Sequence, residues 1–196
     1  MGEADKDAGR NAGPGLDSDA GPGGDADAIA LTVNGRPLSL RVDAGRSLLD
    51  VLRNDLGLKA SHFGCGAGLC GACMVMLDGH AVPACDTPMW SAAGKDVLTV
   101  EGLGNADAPH PVQRAFIAEQ AAQCGYCTSG MLIAAASLLR RCPHPTEAQI
   151  RAGLERNLCR CGTHPRVLRA VARAAADASP SHAPVQGRSS DDGQRQ

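Results

Sequence analysis

Aromatic side chains are nearly absent from this sequence: two Phe, one Tyr and one Trp among 196 residues. So few large rings argue against one extensive core and for two small domains that need a staple. Long apolar runs are missing too. No segment reaches the roughly 20 apolar residues of a membrane helix, and the first residues hold no apolar leader. The expectations are no membrane insertion and a cytoplasmic location, or export together with a signal-bearing partner. Nor is there an excess of positive charge. Lys and Arg total 19 against 21 Asp and Glu, without a basic patch, so nucleic acid is not an expected partner. The six histidines are scattered, with no pair at metal-binding spacing.

Cysteine, by contrast, is abundant. Nine are present, enough to staple small domains by disulfides or by metal. Disulfides belong to oxidising compartments and an odd count leaves one thiol over. Tight C-x-x-C and C-x-C groups suit thiolates gathered around metal in a reducing interior.

Both ends read as disordered. Residues 1–27 are rich in Gly, Ala, Asp and Pro, with Leu16 the only branched aliphatic side chain, and residues 179–196 form a polar tail. The part between them reads as α+β. In a first domain, 28–104, Ile29, Leu31 and Val33 alternate with small or polar residues, and Leu38, Leu40 and Val42 do so again after Asn34-Gly35, a hairpin signal. Ser47 is placed to cap a helix with Asp50 three residues on; its stripe is Leu48, Leu49, Val51, Leu52 and Leu56, and Gly57 ends it. A second strand pair turns at Asp78-Gly79, between 74–77 and 81–82, and 97–100 reads as the last strand. In a second domain, 108–178, the period becomes helical. Helices are expected over 111–122, 129–141 and 146–157, the last opened by a Thr146/Gln149 capping box. A fourth follows Thr163, with Pro165 in its first turn.

Cys65, Cys70, Cys73 and Cys85 follow C-x4-C-x2-C with a distant fourth, the plant-type ferredoxin spacing for a [2Fe-2S] cluster. Gly64, Gly66, Gly68 and Gly71 interleave with them, where positive φ and N–H groups close to sulfur are expected. Structural zinc is the weaker reading, because zinc usually pairs two short knuckles whereas three of these ligands share one glycine-rich loop.

Cys124 and Cys127 lie where the first helix of the second domain meets the next, and Cys159 and Cys161 where the third meets the fourth. On spacing alone, zinc and an iron–sulfur cluster both remain open for this set. A C-x-C pair is unusual for a zinc knuckle, and a neighbouring ferredoxin centre gives a second redox centre a purpose. Arg160 and Arg166 flank the set, as charge balance or as helix-terminal cations. Cys142, the ninth cysteine, reads as a small packed thiol.

The runs from Gly64 to Cys73, from Gln123 through Cys127 to Met131, and from Asn157 to Gly162 resemble the small subunit of the xanthine oxidase family of molybdenum hydroxylases. The resemblance is nearest to the isoquinoline, nicotinate and aldehyde-oxidising small subunits, although His164 stands where that branch commonly has Tyr. It implies a β-grasp ferredoxin domain followed by a four-helix [2Fe-2S] domain, with all eight cysteines as ligands. It also implies a large partner that binds molybdopterin and is approached by Gln123 and Cys161. Hydroxylation of an aldehyde or N-heterocycle would occur in that partner, and electrons would leave through this chain to a cytochrome c or a flavin subunit. The alternative is a stand-alone two-cluster ferredoxin-type carrier, which leaves the helical half without a use.

Overall fold

The computed structural model describes residues 28–177, so the expectations for the two ends lie outside the described residues. Strands β1 (Ile29–Val33) and β2 (Arg36–Leu40) pair as an antiparallel hairpin, with Leu31 opposite Leu38 and the turn at Asn34-Gly35. Both turn residues hold positive φ, as a tight primed turn requires. Strands β3 (Met74–Leu77) and β4 (His80–Pro83) form the second hairpin, around Asp78-Gly79. The five strands lie in the order β2-β1-β5-β3-β4, and β1 runs parallel to β5 (Asp96–Leu98) across more than sixty residues of chain.

That last strand is shorter than 97–100. The Thr99 N–H donates to the Asn34 side chain at 2.9 Å instead of to a neighbouring strand, and the chain turns into the short helix α3 (Val100–Leu103). The β1–β2 turn thus sets where β5 stops. Helix α1 (Leu48–Asn54) starts as expected, with the Ser47 hydroxyl accepting from Asp50 N–H at 3.2 Å. The Asp50 carboxylate does not close the capping box. It accepts from Arg46 at 2.8 Å. A single helical turn, α2 (Met89–Ala92), follows a 3₁₀ turn at Ala84–Asp86.

The second half holds α4 (Pro111–Ala118), α5 (Thr128–Arg141), α6 (Glu147–Gly153) and α7 (His164–Asp177). Helix α4 is shorter than 111–122 because Gln120 takes φ +48°, letting Ala121 N–H reach Phe116 O at 2.9 Å in a Schellman-type stop. Helix α6 also stops early, at Gly153 instead of 157. Its expected capping box forms, with Gln149 N–H on Thr146 Oγ1 at 3.3 Å and Thr146 N–H on Gln149 Oε1 at 2.8 Å. Glu119 ties α4 to α7 through Arg169 at 3.2 Å and Arg173 at 3.3 Å.

The core has two parts, one on each face of the sheet. Val75 and Leu77 pack with α1 and β1, whereas Met74 and Met76 pack with α4, α5 and α7. Strand β3 is therefore buried on both faces. The helical half is continuous with the sheet, and this continuity holds the two cysteine regions together.

Candidate functional site

Three of the first set, Cys65, Cys70 and Cys73, occupy the loop between α1 and β3, and Cys85 joins them from the 3₁₀ turn after β4. Its backbone is wrapped around sulfur: Cys65 Sγ accepts from the N–H groups of Leu69 at 3.2 Å and of Ala67 and Cys70 at 3.4 Å. Cys70 Sγ accepts from Cys65 N–H at 3.3 Å, and Cys85 Sγ from Gly68 N–H at 3.4 Å. Such donors stabilise charge on sulfur, and the Ala67, Leu69 and Cys70 N–H groups bring the Cys65 thiol down to about 6. Cys73 lies at the other extreme: burial raises it to about 12, with the Cys85 thiol against it.

The loop tolerates no bulk. Gly71 has φ +72°, and a Cβ there would strike the Asn157 side chain at 2.5 Å. Gly64 lacks the expected positive φ. It is required for space, since a Cβ would come 2.6 Å from Cys70 Sγ.

The second set gathers at the α4–α5 and α6–α7 corners. The Tyr126 N–H lowers the Cys124 thiol, assisted by the Cys161 thiol; Cys161 is favoured by the Cys124 N–H, yet its contact with the Cys124 thiol and burial leave it raised. Burial lifts Cys127 to about 11, with the Cys159 thiol beside it. Burial opposes ionisation of Cys159 as well, but the Thr163 hydroxyl, 3.1 Å from its sulfur, prevails and holds it at about 6. In both sets the thiols meet in twos: Cys73 with Cys85, Cys124 with Cys161 and Cys127 with Cys159, while Cys65 and Cys70 exchange N–H···S bonds. Among the described residues, no three His, Cys, Asp or Glu side chains are grouped so as to hold one metal ion. A thiol held at 11 or 12 by burial needs a cation before it can ionise, and thiolate is the ligating form. Backbone donors on sulfur and thiols meeting in pairs together fit two-iron centres.

Three residues join the sets, Asn157 and Leu158 at the start of the Asn157–Gly162 run and Arg156 just before it, and the sequence pattern does not announce this joining role. Asn157, 2 % exposed, donates from Nδ2 to Gly71 O at 3.1 Å, and Leu158 N–H donates to Cys70 O at 2.9 Å. Arg156 Nη2 donates to Gly68 O at 2.6 Å. Their position directly before Cys159 is the one signal a sequence offers. Their partners, some 86 residues earlier, leave no trace in spacing. On another side His62 stacks on Tyr126 with centroids 4.5 Å apart, and Tyr126 Oη donates to Phe63 O at 2.5 Å. Gln123 lies exposed on a bend beyond the end of α4, directly before Cys124, and Cys161 is half-buried. Cys142 stands apart, its sulfur 3.9 Å from Gln149 Oε1.

Two domain families match the chain in tandem: a 2Fe-2S iron-sulfur cluster binding domain over residues 31–99 and a [2Fe-2S] binding domain over 99–172. A nicotinate dehydrogenase subunit of Pseudomonas putida is 55 % identical over 147 residues, covering 75 % of this chain and 94 % of that protein. The alpha subunit of isoquinoline 1-oxidoreductase of Brevundimonas diminuta is 47 % identical over 152 residues, covering 77 % of this chain and 99 % of the relative. The crystal structure of quinoline 2-oxidoreductase from Pseudomonas putida superposes with a TM-score of 0.72 at 35 % identity, covering 76 % of this chain and 94 % of that one. With both cluster domains in order and relatives matched over nearly their whole length, the chain belongs to the small iron–sulfur subunits of the xanthine oxidase family of molybdenum hydroxylases.

Proposed function

We propose that this chain relays electrons from a molybdopterin-binding partner through two [2Fe-2S] clusters to an external acceptor. The observation that carries this reading is the arrangement of eight thiols as two pairs at each of two sites, one built by the α1–β3 loop with the Cys85 turn and the other by the α4–α5 and α6–α7 corners, with the sites joined by the Leu158–Cys70 hydrogen bond. A two-iron centre takes a pair of thiolates at each iron, whereas one zinc ion takes all its ligands around a single point. Cys65, Cys70, Cys73 and Cys85 would hold one cluster, and Cys124, Cys127, Cys159 and Cys161 the other. When bound, each cluster supplies a one-electron couple.

The residues of the chain bind, insulate and connect. Backbone N–H groups donate to the sulfurs of Cys65, Cys70 and Cys85, and Cys73 is buried away from water while Cys127 is half-buried. We assign a β-grasp ferredoxin unit to 28–104 and a four-helix cluster unit to 108–178. The parallel β1–β5 pairing and the tandem family matches support that division. Gln123 and Cys161 face the pterin of the partner in this reading; the exposure of Gln123 beside Cys124 agrees with it. The substrate, hydroxylated in the partner, is an N-heterocycle or an aldehyde, as the names of nicotinate dehydrogenase, isoquinoline oxidoreductase and aldehyde oxidoreductase among the relatives suggest. The acceptor is a cytochrome c or a flavin subunit. No helix among the described residues is long and apolar enough to cross a membrane.

Iron and acid-labile sulfide analysis tests the reading. About four of each per chain are expected. Zinc in place of iron, or only two irons, would overturn the two-cluster assignment.

A further inference from the structure

The first cysteine loop receives a positive charge from the other half of the molecule. Arg156, at the corner between α6 and α7, donates from Nη2 to Gly68 O at 2.6 Å, and Gly68 N–H in turn donates to Cys85 Sγ at 3.4 Å. No carboxylate lies within ion-pair distance of Arg156 among the described residues. The opposing charge on this loop is Asp86, next to Cys85 in sequence, whose carboxylate packs against Gly68. Arg156 is held in place by its neighbours. Asn157 is clamped to Gly71 O and Leu158 to Cys70 O, which fixes the backbone from which the Arg156 side chain reaches Gly68 O.

We infer that Arg156 raises the reduction potential of the cluster held by Cys65, Cys70, Cys73 and Cys85, and thereby favours electron flow to it from the second set. The inference rests on the two-cluster reading above. A [2Fe-2S] centre with four thiolates is anionic and gains one further negative charge when it accepts an electron, so a nearby cation stabilises the reduced form more than the oxidised one. The step moves one electron, oxidising the centre of the second set and reducing that of the first, with no bond made or broken. Arg156 is hydrogen-bonded to the backbone of the loop and not to a cysteine sulfur; it acts as a positioning and tuning residue through the loop. Because Arg156 is largely exposed, its influence is screened by salt.

Redox poising of the assembled enzyme, followed by electron paramagnetic resonance, tests the inference through separate signals for the two clusters. Arg156→Gln keeps an amide donor for Gly68 O and removes the charge; Arg156→Lys keeps the charge. The expected result is a shift of the first-set potential to more negative values in Arg156→Gln, a smaller shift of the second set, and a near-normal first-set potential in Arg156→Lys. The gap between wild type and Arg156→Gln narrows at high ionic strength. Equal potentials in all three proteins would overturn the inference, as would equal drops in both variants or loss of first-set iron from Arg156→Gln, each of which makes Arg156 a structural support. Failure of the underlying reading looks different: wild-type enzyme would itself lack two distinguishable signals.

Discussion

The amide of Leu158 donates to the carbonyl of Cys70 at 2.9 Å, so the residue before one ligand of the second set is bonded to a ligand of the first. Asn157 secures the same joint through Gly71 O, and its own carbonyl receives His164 Nε2 at 2.8 Å. Asn157→Ala removes the buried partner of Gly71 O. Gly71 O then keeps only the longer bond from Met74 N–H at 3.4 Å, and a loss of about 1 kcal/mol is expected, measured by denaturant unfolding of the cluster-loaded chain. Unchanged stability would mean that the loop stays docked without this clamp.

Cys161→Ser should cost the second cluster outright. Serine oxygen is a poorer ligand for iron than thiolate, and the metal-linked folding energy of its domain goes with it. About two irons per chain should remain, with one magnetic resonance signal instead of two. Retention of all iron would remove Cys161 from the ligand set.

Gln123→Ala changes an exposed neutral side chain and should leave both clusters fully occupied. If Gln123 contacts the pterin of the partner, bleaching of the clusters after mixing substrate with assembled enzyme slows in stopped flow. An unchanged rate at full cluster content would make it scaffold.

Ser137 joins the helices to the β3–β4 hairpin: its buried hydroxyl accepts from Ala81 N–H at 3.0 Å and donates to Gly79 O at 2.9 Å. Ser137→Ala leaves both backbone groups unpaired, a cost of about 1–3 kcal/mol. Thermal unfolding should fall by several degrees. Ser137→Thr keeps the hydroxyl but adds a methyl in a fully buried place, so it should rescue only in part.

Burial, assisted by repulsion from Arg114, lowers the His110 imidazole below its usual value, and the neutral ring accepts from Val112 N–H at 3.2 Å to cap α4. A folded-state value below the unfolded one means that the unfolded chain binds more protons in the window between them. The stabilisation is present above the unfolded value near 6.5 and is lost as pH falls through the folded one. His110→Asn should keep a cap and flatten that part of the pH–stability profile. An identical pH dependence in wild type and variant would exclude His110 as its source.

What the sequence alone determined is what depends on neighbours along the chain. The two cysteine spacings, the Asn34-Gly35 and Asp78-Gly79 turns, and the Ser47 and Thr146 caps each rest on a few adjacent residues, and the turns and caps are found where expected. Element ends that depend on distant partners were less legible. The stop of β5 needs Asn34 to capture Thr99 N–H, and the early end of α4 needs Gln120 in a backbone region that its side-chain type does not announce. Tertiary structure alone decided that β3 is buried on both faces, because a continuous apolar run of four residues is equally compatible with one covered face. It also decided the joint of Arg156, Asn157 and Leu158 on Gly68, Gly71 and Cys70. All three contacts end on backbone carbonyls, which every residue possesses, so nothing in the sequence marks Gly68, Cys70 and Gly71 as the partners of Arg156, Leu158 and Asn157. They exist only because the sheet and the helices pack through Met74 and Met76 and bring the two loops within hydrogen-bond reach.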